Sequence, residues 1–307
     1  MKLKTKDLLT LAELTPKEFS GLIDDSIKLK KQSKNKGNKP ILKNKTLTMI
    51  FQKPSTRTRV SFETGMYQLG GHAINLSSDD TQLSRGESVE DTAKTLSRYT
   101  DCIMARVYEH ELLEKLSEYS TVPVINGLSD TFHPCQILAD FMTIKEKKKK
   151  FKGLKIAWIG DGNNVCNSMM YGAALSGVSM SIATPKGFEP NKTVLKESKK
   201  STDIELTTDP FTATKNADVV VSDTFSSIHN RDPKRMKKFL PTFQVNSKLM
   251  SSANKDAIFM HCLPAKRNQE VTSSVIDGSQ SVVWDEAENR LHTQKALLSA
   301  LIHAERI

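Results

Sequence analysis

Short apolar runs alternate with amphipathic stretches along this chain. The alternation stops once, at Lys145-Glu146-Lys147-Lys148-Lys149-Lys150-Phe151-Lys152, and then starts again. No other feature limits the fold as tightly. Before the lysines, residues 47–51, 73–76, 102–106 and 122–126 read as strands; after them, residues 154–159, 179–183, 217–221, 257–260 and 281–284 do. Helical patterns lie between. Thr15-Pro16-Lys17-Glu18 is a helix start with a capping box, and Phe19, Leu22, Ile23 and Ile27 follow on one face. Residues 61–69, 88–99, 164–175 and 293–305 also read as helices, and 77–87 as a polar loop. Parallel strands need crossover connections, usually helices, so the pattern predicts parallel α/β sheets. Because it restarts, it predicts two α/β halves with a boundary near residues 143–152.

Composition narrows the function. The chain has 307 residues, enough for two domains, with 37% hydrophobic and 26% charged residues, which is a globular composition. No apolar run approaches membrane-span length, and the first residues lead into no apolar signal core, so the expected location is the cytosol, with no membrane partner. Cys102, Cys135, Cys166 and Cys262 form no CxxC pair, which argues against a structural zinc site and a disulfide framework. The formal charge of +10 suits an anionic partner. Nucleic acid is disfavoured, since almost no aromatic residue interleaves with the basic run.

The sharpest chemistry lies in Phe51-Gln52-Lys53-Pro54-Ser55-Thr56-Arg57-Thr58-Arg59-Val60-Ser61-Phe62-Glu63. A strand ends, a proline turns the chain and a helix begins. Free backbone N–H groups and the positive dipole end favour an anion at such a place. Ser55, Thr56 and Thr58 add donors and Arg57 adds a charged fork, so the segment is suited to phosphate without a P-loop. A bland reading, a capped helix with surface arginines, fits a generic cluster of these residue types equally well.

The full string resembles the STRTR carbamoyl-phosphate motif of the carbamoyltransferases. Phe132-His133-Pro134-Cys135-Gln136 is similar to the FHPxQ segment of that family, and His261-Cys262-Leu263-Pro264 to the HCLP segment of its ornithine branch. Gly160-Asp161-Gly162-Asn163-Asn164 and the stretch from Val283 to His292 also resemble the ornithine branch. The resemblance implies two doubly wound parallel-sheet domains of similar size. Residues 1–146 would bind carbamoyl phosphate, residues 147–288 would bind ornithine, and residues 289–307 would form a C-terminal helix packing back on the first domain. It implies transfer of a carbamoyl group to ornithine, giving citrulline and phosphate, in arginine biosynthesis. It also implies a homotrimer, or a multiple of trimers, with sites at subunit interfaces, and no metal or organic cofactor.

The chemistry of these residue types agrees. Amine attack on carbamoyl phosphate builds negative charge on the carbonyl oxygen, which needs cations and donors in place. Arg57 and Arg106 suit the phosphate and that charge. His133 can donate to the carbonyl oxygen, and Gln136 offers both donor and acceptor to the carbamoyl amide. By resemblance Thr58, Cys262, Leu263 and Arg290 also contact carbamoyl phosphate, and Gln82 is the residue a neighbouring subunit lends. Asn164 follows a strand end, where ligands bind in such sheets; by resemblance it holds the α-carboxylate or α-amino group of ornithine. Asp223 follows another strand and can pair with the α-ammonium group. Cys262 lies, by resemblance, near the reacting amine, and a thiol or carboxylate there could help it lose a proton.

One departure stands out. The ornithine branch usually carries Ser-Met-Gly a few residues after the aspartate, and here Ser227, Ile228 and His229 fill those places. Ser227 and Ile228 are still expected to face ornithine. The change leaves a related amine open: putrescine, lysine or an acylated ornithine. Two other classes are weaker. Residues 155–183 read as a βαβ unit, but Gly160-Asp161-Gly162-Asn163-Asn164-Val165 lacks the third small residue of a dinucleotide loop and no acid ends the second strand. A non-catalytic binding protein with this fold would be expected to lose at least one of Ser55, Thr56, Arg57, Thr58, His133, Gln136, Asp223 and Cys262.

Overall fold

The computed structural model describes residues 2–77, 81–225 and 233–302. Thr15 accepts from the backbone of Glu18 and the Glu18 carboxylate returns to Thr15, so the capping box forms as the sequence predicts. It opens α1 (Pro16–Lys36) and is worth about 1 kcal/mol. Then follow β1 (Thr46–Phe51), α2 (Thr56–Gln68), β2 (His72–Ser77), α3 (Val89–Tyr99), β3 (Cys102–Arg106), α4 (His110–Tyr119), β4 (Val124–Leu128) and α5 (Pro134–Lys148). After the lysines come β5 (Lys155–Ile159), α6 (Asn164–Ser176), β6 (Ser179–Ala183), α7 (Lys192–Ser198), β7 (Ile204–Thr207), α8 (Pro210–Thr214) and β8 (Val219–Ser222). The last described elements are α9 (Pro233–Phe239), α10 (Ser247–Met250), β9 (Ile258–Met260), α11 (Ser273–Ile276) and α12 (Val283–Ile302).

The chain divides into two compact units, one built from residues up to Met142 and from Glu288 onward, the other from Thr143 to Ala287. In the first, four parallel strands run in the order β2-β1-β3-β4. In the second, five parallel strands run in the order β7-β6-β5-β8-β9. Both sheets are doubly wound. The chain leaves the first strand on one side and later returns to its other side, so the switch point lies between β1 and β3 in one unit and between β5 and β8 in the other. Ligands of open α/β sheets bind at the carboxyl ends of the strands at that point.

The C-terminal part of α12 belongs to the first unit, where it packs against α2 and α1. Gly65 of α2 allows the approach: a Cβ there would meet Lys295 Cγ at 3.4 Å. Lys295 is fully buried, and its ammonium donates to Ser33, Asn38 and Gln68. Lys30 of α1 reaches Asn289 Oδ1 at 2.7 Å.

Residues 281–284 are not the strand their β-branched composition predicts. Ser281 makes a single bridge to Phe259, and α12 begins at Val283 with Asp285 and Glu286 in its first turn. Acids there stabilise a helix start, and that signal outweighs the valines. Trp284 is largely exposed on the helix surface. Among the described residues, no helix is long and apolar enough to cross a membrane.

Candidate active site

In the first unit, Ser55 caps α2 by accepting from the Thr58 backbone at 3.3 Å. This fixes the start of the helix, with Thr56 exposed, Arg57 half-buried and Thr58 buried. Arg290 of α12 is buried and joins two motifs: Nη1 donates to Gln136 Oε1 at 2.7 Å and Nη2 to Thr58 Oγ1 at 3.2 Å. Gln136 Nε2 donates in turn to the buried Asp140 at 2.8 Å, one helical turn along α5. Four residues from three distant stretches thus form one hydrogen-bonded chain.

His133 stands just before α5 and is almost fully buried. Burial, then the charges of Arg290, Arg106 and Arg57, holds its pKa well below the usual histidine value. The imidazole is therefore neutral at physiological pH, a form that donates from one nitrogen only. Arg106 ends β3, level with Phe51 at the end of β1. Beside it Lys53 is buried, with Nζ 4.1 Å from the centre of the Tyr108 ring. Burial first, then the neighbouring Arg106, lowers the Lys53 pKa to about 8, with Asp130 opposing. The first unit thus gathers Lys53, Arg57, Arg106 and Arg290 near one neutral histidine, an arrangement that suits a small dianion.

In the second unit, Asn163 caps α6, accepting from Val165 at 3.0 Å and Cys166 at 3.1 Å, and its Nδ2 donates to Asp223 Oδ2 at 2.7 Å. Asp223 follows β8, and its other oxygen accepts from the Thr224 backbone at 2.7 Å and from Cys262 Sγ at 3.2 Å. Asp161 is a second acid here. Burial raises its pKa to about 6 against the pull of Arg235, with which it forms an ion pair. The glycines of this loop serve packing. Gly160 has φ of +131° and a Cβ on it would meet Phe225 at 2.6 Å, while one on Gly162 would run into the backbone at Pro190. Asp223, His261 and Cys262 place ligand-type atoms within 4.8 Å of one another. Both His261 nitrogens already have partners, Leu263 N–H and Glu270, so the set is a poor fit for a metal ion.

Residues 6–146 match the aspartate/ornithine carbamoyltransferase carbamoyl-P binding domain, and residues 152–301 match the Asp/Orn binding domain of the same family. The chain belongs to the aspartate/ornithine carbamoyltransferase family. It is 61% identical over 301 residues to the ornithine carbamoyltransferase of Cenarchaeum symbiosum, covering 98% of this chain and 99% of that one. It is 50% identical to the enzyme of that name from Pyrococcus horikoshii, covering 98% and 97%. The solved ornithine carbamoyltransferase of Pyrococcus furiosus superposes with a TM-score of 0.96 at 49% identity, covering all of both chains.

For a member of this carbamoyltransferase family, the structure brings Thr58, Gln136 and Arg290 into direct hydrogen bonding, and Arg57, Arg106 and His133 into electrostatic reach of one another. It joins Asp223 to Cys262, with Leu263 next in the chain at φ +56°. Asn164 opens α6, with Oδ1 accepting from Val165, but the bond to Asp223 comes from Asn163. Gln82 is exposed on a short 3-10 turn, Gln82–Arg85. Ser227 and Ile228, like His229, lie outside the described residues. The sequence reading missed Lys53, Asp140 and Asn163. Asp140 was detectable as the residue four positions after Gln136 on a helix. Lys53 was detectable as a basic residue just past a buried strand end.

Proposed function

We propose that this chain catalyses transfer of the carbamoyl group of carbamoyl phosphate to the δ-amine of L-ornithine, giving L-citrulline and phosphate. The observation that carries the reading is the chain Thr58–Arg290–Gln136–Asp140 beside neutral His133. Such a buried guanidinium, with two further arginines and a lysine nearby, favours a bound dianion over an empty or neutral site. In the first unit, the start of α2, with Ser55, Thr56, Arg57 and Thr58, and Arg106 hold the phosphate. His133 donates to the carbonyl oxygen as charge develops on it, and Gln136 meets the carbamoyl amide. The neutral amine attacks the carbonyl carbon and a C–N bond forms; the bond from that carbon to the bridging oxygen breaks, the nitrogen gives up one proton to the departing phosphate, and hydrogen phosphate leaves among the arginines.

The second unit supports ornithine over aspartate. Arg235 balances the charge of Asp161, which leaves the Asp223 carboxylate after β8 as the group that attracts a diamino acid and repels a dicarboxylate. Asp223 pairs with the α-ammonium group, Asn164 binds the α-carboxylate or α-amino group, and Cys262 and Leu263 line the reacting end. Ser227 and Ile228 complete the amine side, and Gln82 serves a neighbouring subunit. This assigns residues 1–146 to carbamoyl phosphate, 147–288 to ornithine and 289–307 to the helix returning to the first domain. We also infer a homotrimer or a multiple of trimers, a cytosolic location and a role in arginine biosynthesis.

The test is ureido-product formation from carbamoyl phosphate with ornithine, putrescine, lysine, N-acetylornithine and aspartate. Strong preference for ornithine is expected. Preference for another amine would overturn the ornithine assignment and keep the carbamoyl half. No product with any amine, from folded protein that binds carbamoyl phosphate, would overturn catalysis.

A further inference from the structure

The turn that carries Cys262 is held by two fully buried side chains to which the proposed function gives no role, His261 and Glu270. The Leu263 backbone N–H donates to His261 Nδ1 at 2.9 Å. A backbone N–H only donates, so Nδ1 is a lone-pair acceptor and the proton of the neutral ring sits on Nε2. Nε2 faces Glu270 Oε1 at 3.3 Å. The same oxygen accepts from the Lys266 backbone at 2.5 Å, so Glu270 ties the far end of the turn as well. The His261 backbone N–H is fixed in turn by Glu286 Oε2 at 2.9 Å. Between these anchors Leu263 takes φ of +56°, a conformation a β-carbon residue adopts at a cost, and Cys262 Sγ meets Asp223 at 3.2 Å.

We propose that His261 and Glu270 are a positioning pair for carbamoyl transfer, holding the Cys262-Leu263 turn so that the thiol stays against Asp223. The inference rests on the reading that Cys262 and Asp223 serve the amine. It treats Glu270 as the group that orients the ring and the ring as the group that orients the turn, the same logic by which outer carboxylates orient working histidines.

The test compares His261→Leu, which removes both bonds, with His261→Asn, whose side-chain oxygen can replace Nδ1 as the acceptor for Leu263. Glu270→Gln and Glu270→Leu form the second pair. Two readouts are taken: steady-state kinetics, and the alkylation rate of Cys262 by iodoacetamide. The other three cysteines are buried, so the half-buried Cys262 supplies the fast phase. Displacing the turn by about 1 Å should lower kcat by about 100-fold in His261→Leu, with KM for carbamoyl phosphate unchanged within about twofold. His261→Asn should recover most of that loss and restore the wild-type alkylation rate, and Glu270→Gln should exceed Glu270→Leu on both readouts. Equal kcat and alkylation rates in the Leu and Asn variants would overturn the proposal. If His261→Leu does not fold, the same comparison within the Glu270 pair decides it. Should the wild type carbamoylate no amine, the proposed function fails, while the alkylation rates still decide whether the pair sets the turn.

Discussion

The same crevice occurs twice in this molecule and is filled differently, with cations in one unit and, in the other, with two carboxylates of which one is ion-paired to Arg235. In one unit it opens between the ends of β1 and β3, and Lys53, Arg57 and Arg106 gather there. In the other it opens between β5 and β8, and Asp161 and Asp223 gather there. Both crevices start a helix with a side-chain cap, Ser55 on α2 and Asn163 on α6. The topology fixes the place where a ligand is met, and the residues alone choose the ligand. The two are also built differently. The cationic crevice depends on charges crowded around a histidine that they keep neutral. The acidic one depends on directed hydrogen bonds, with Asn163, Thr224 and Cys262 all aimed at Asp223.

The comparison breaks most sharply at Arg57. Arg57→Ala should lower kcat by about 1,000-fold while circular dichroism and thermal unfolding stay native; a variant within a few-fold of wild-type kcat would remove the charge-based account of the first crevice. Asp223→Asn tests the other side. It should raise KM for ornithine about 100-fold and leave carbamoyl phosphate affinity, measured by calorimetry, unchanged. If both ligands weaken equally, the division of labour is wrong. Arg290→Met strands Thr58 and Gln136 without their shared donor, and should weaken carbamoyl phosphate by about 1.5–3 kcal/mol, or tenfold to a hundredfold.

The smallest effect concerns pH. Lys53, with its pKa lowered to about 8, is charged below that pH and discharges above it. A bound anion favours the charged form, so the Kd for carbamoyl phosphate should rise above about pH 8 by no more than about one decade per pH unit. Lys53→Met should flatten that limb. In the free protein the sign is reversed. The folded state gives up this proton near pH 8 while an unfolded chain keeps it to 10.5, so stability should climb with pH across that window, and less so in the variant.

Parallel strands buried on both faces read as continuous apolar runs, which is why β1, β3, β5, β6, β8 and β9 were all visible in the sequence. Residues 281–284 carry the same composition and form a helix start, because Asp285 and Glu286 favour the first turn of a helix more than the valines favour a strand. Among candidate site residues, those in contiguous motifs were legible as candidates: Ser55, Thr58, His133, Gln136 and Cys262. Partners set by three-dimensional closure were harder. Two adjacent asparagines look alike in a sequence, and only the geometry of the α6 cap shows that Asn163, not Asn164, donates to Asp223. Glu270, which ties a turn nine residues upstream, left no local signal.

Arg290 has a consequence for how the protein is made. It follows Thr58 by 232 residues and Gln136 by 154, yet it supplies the guanidinium that joins them. Translation delivers the STRTR segment and the histidine early, and a ribosome adding about 5–20 residues per second needs on the order of ten seconds more to reach Arg290. During that interval the nascent first unit has its sheet strands but lacks the guanidinium that joins α2 to α5. A chain halted anywhere before Arg290 would leave Thr58 and Gln136 without that link, so the proposed phosphate site is closed only after the second unit has also been synthesised.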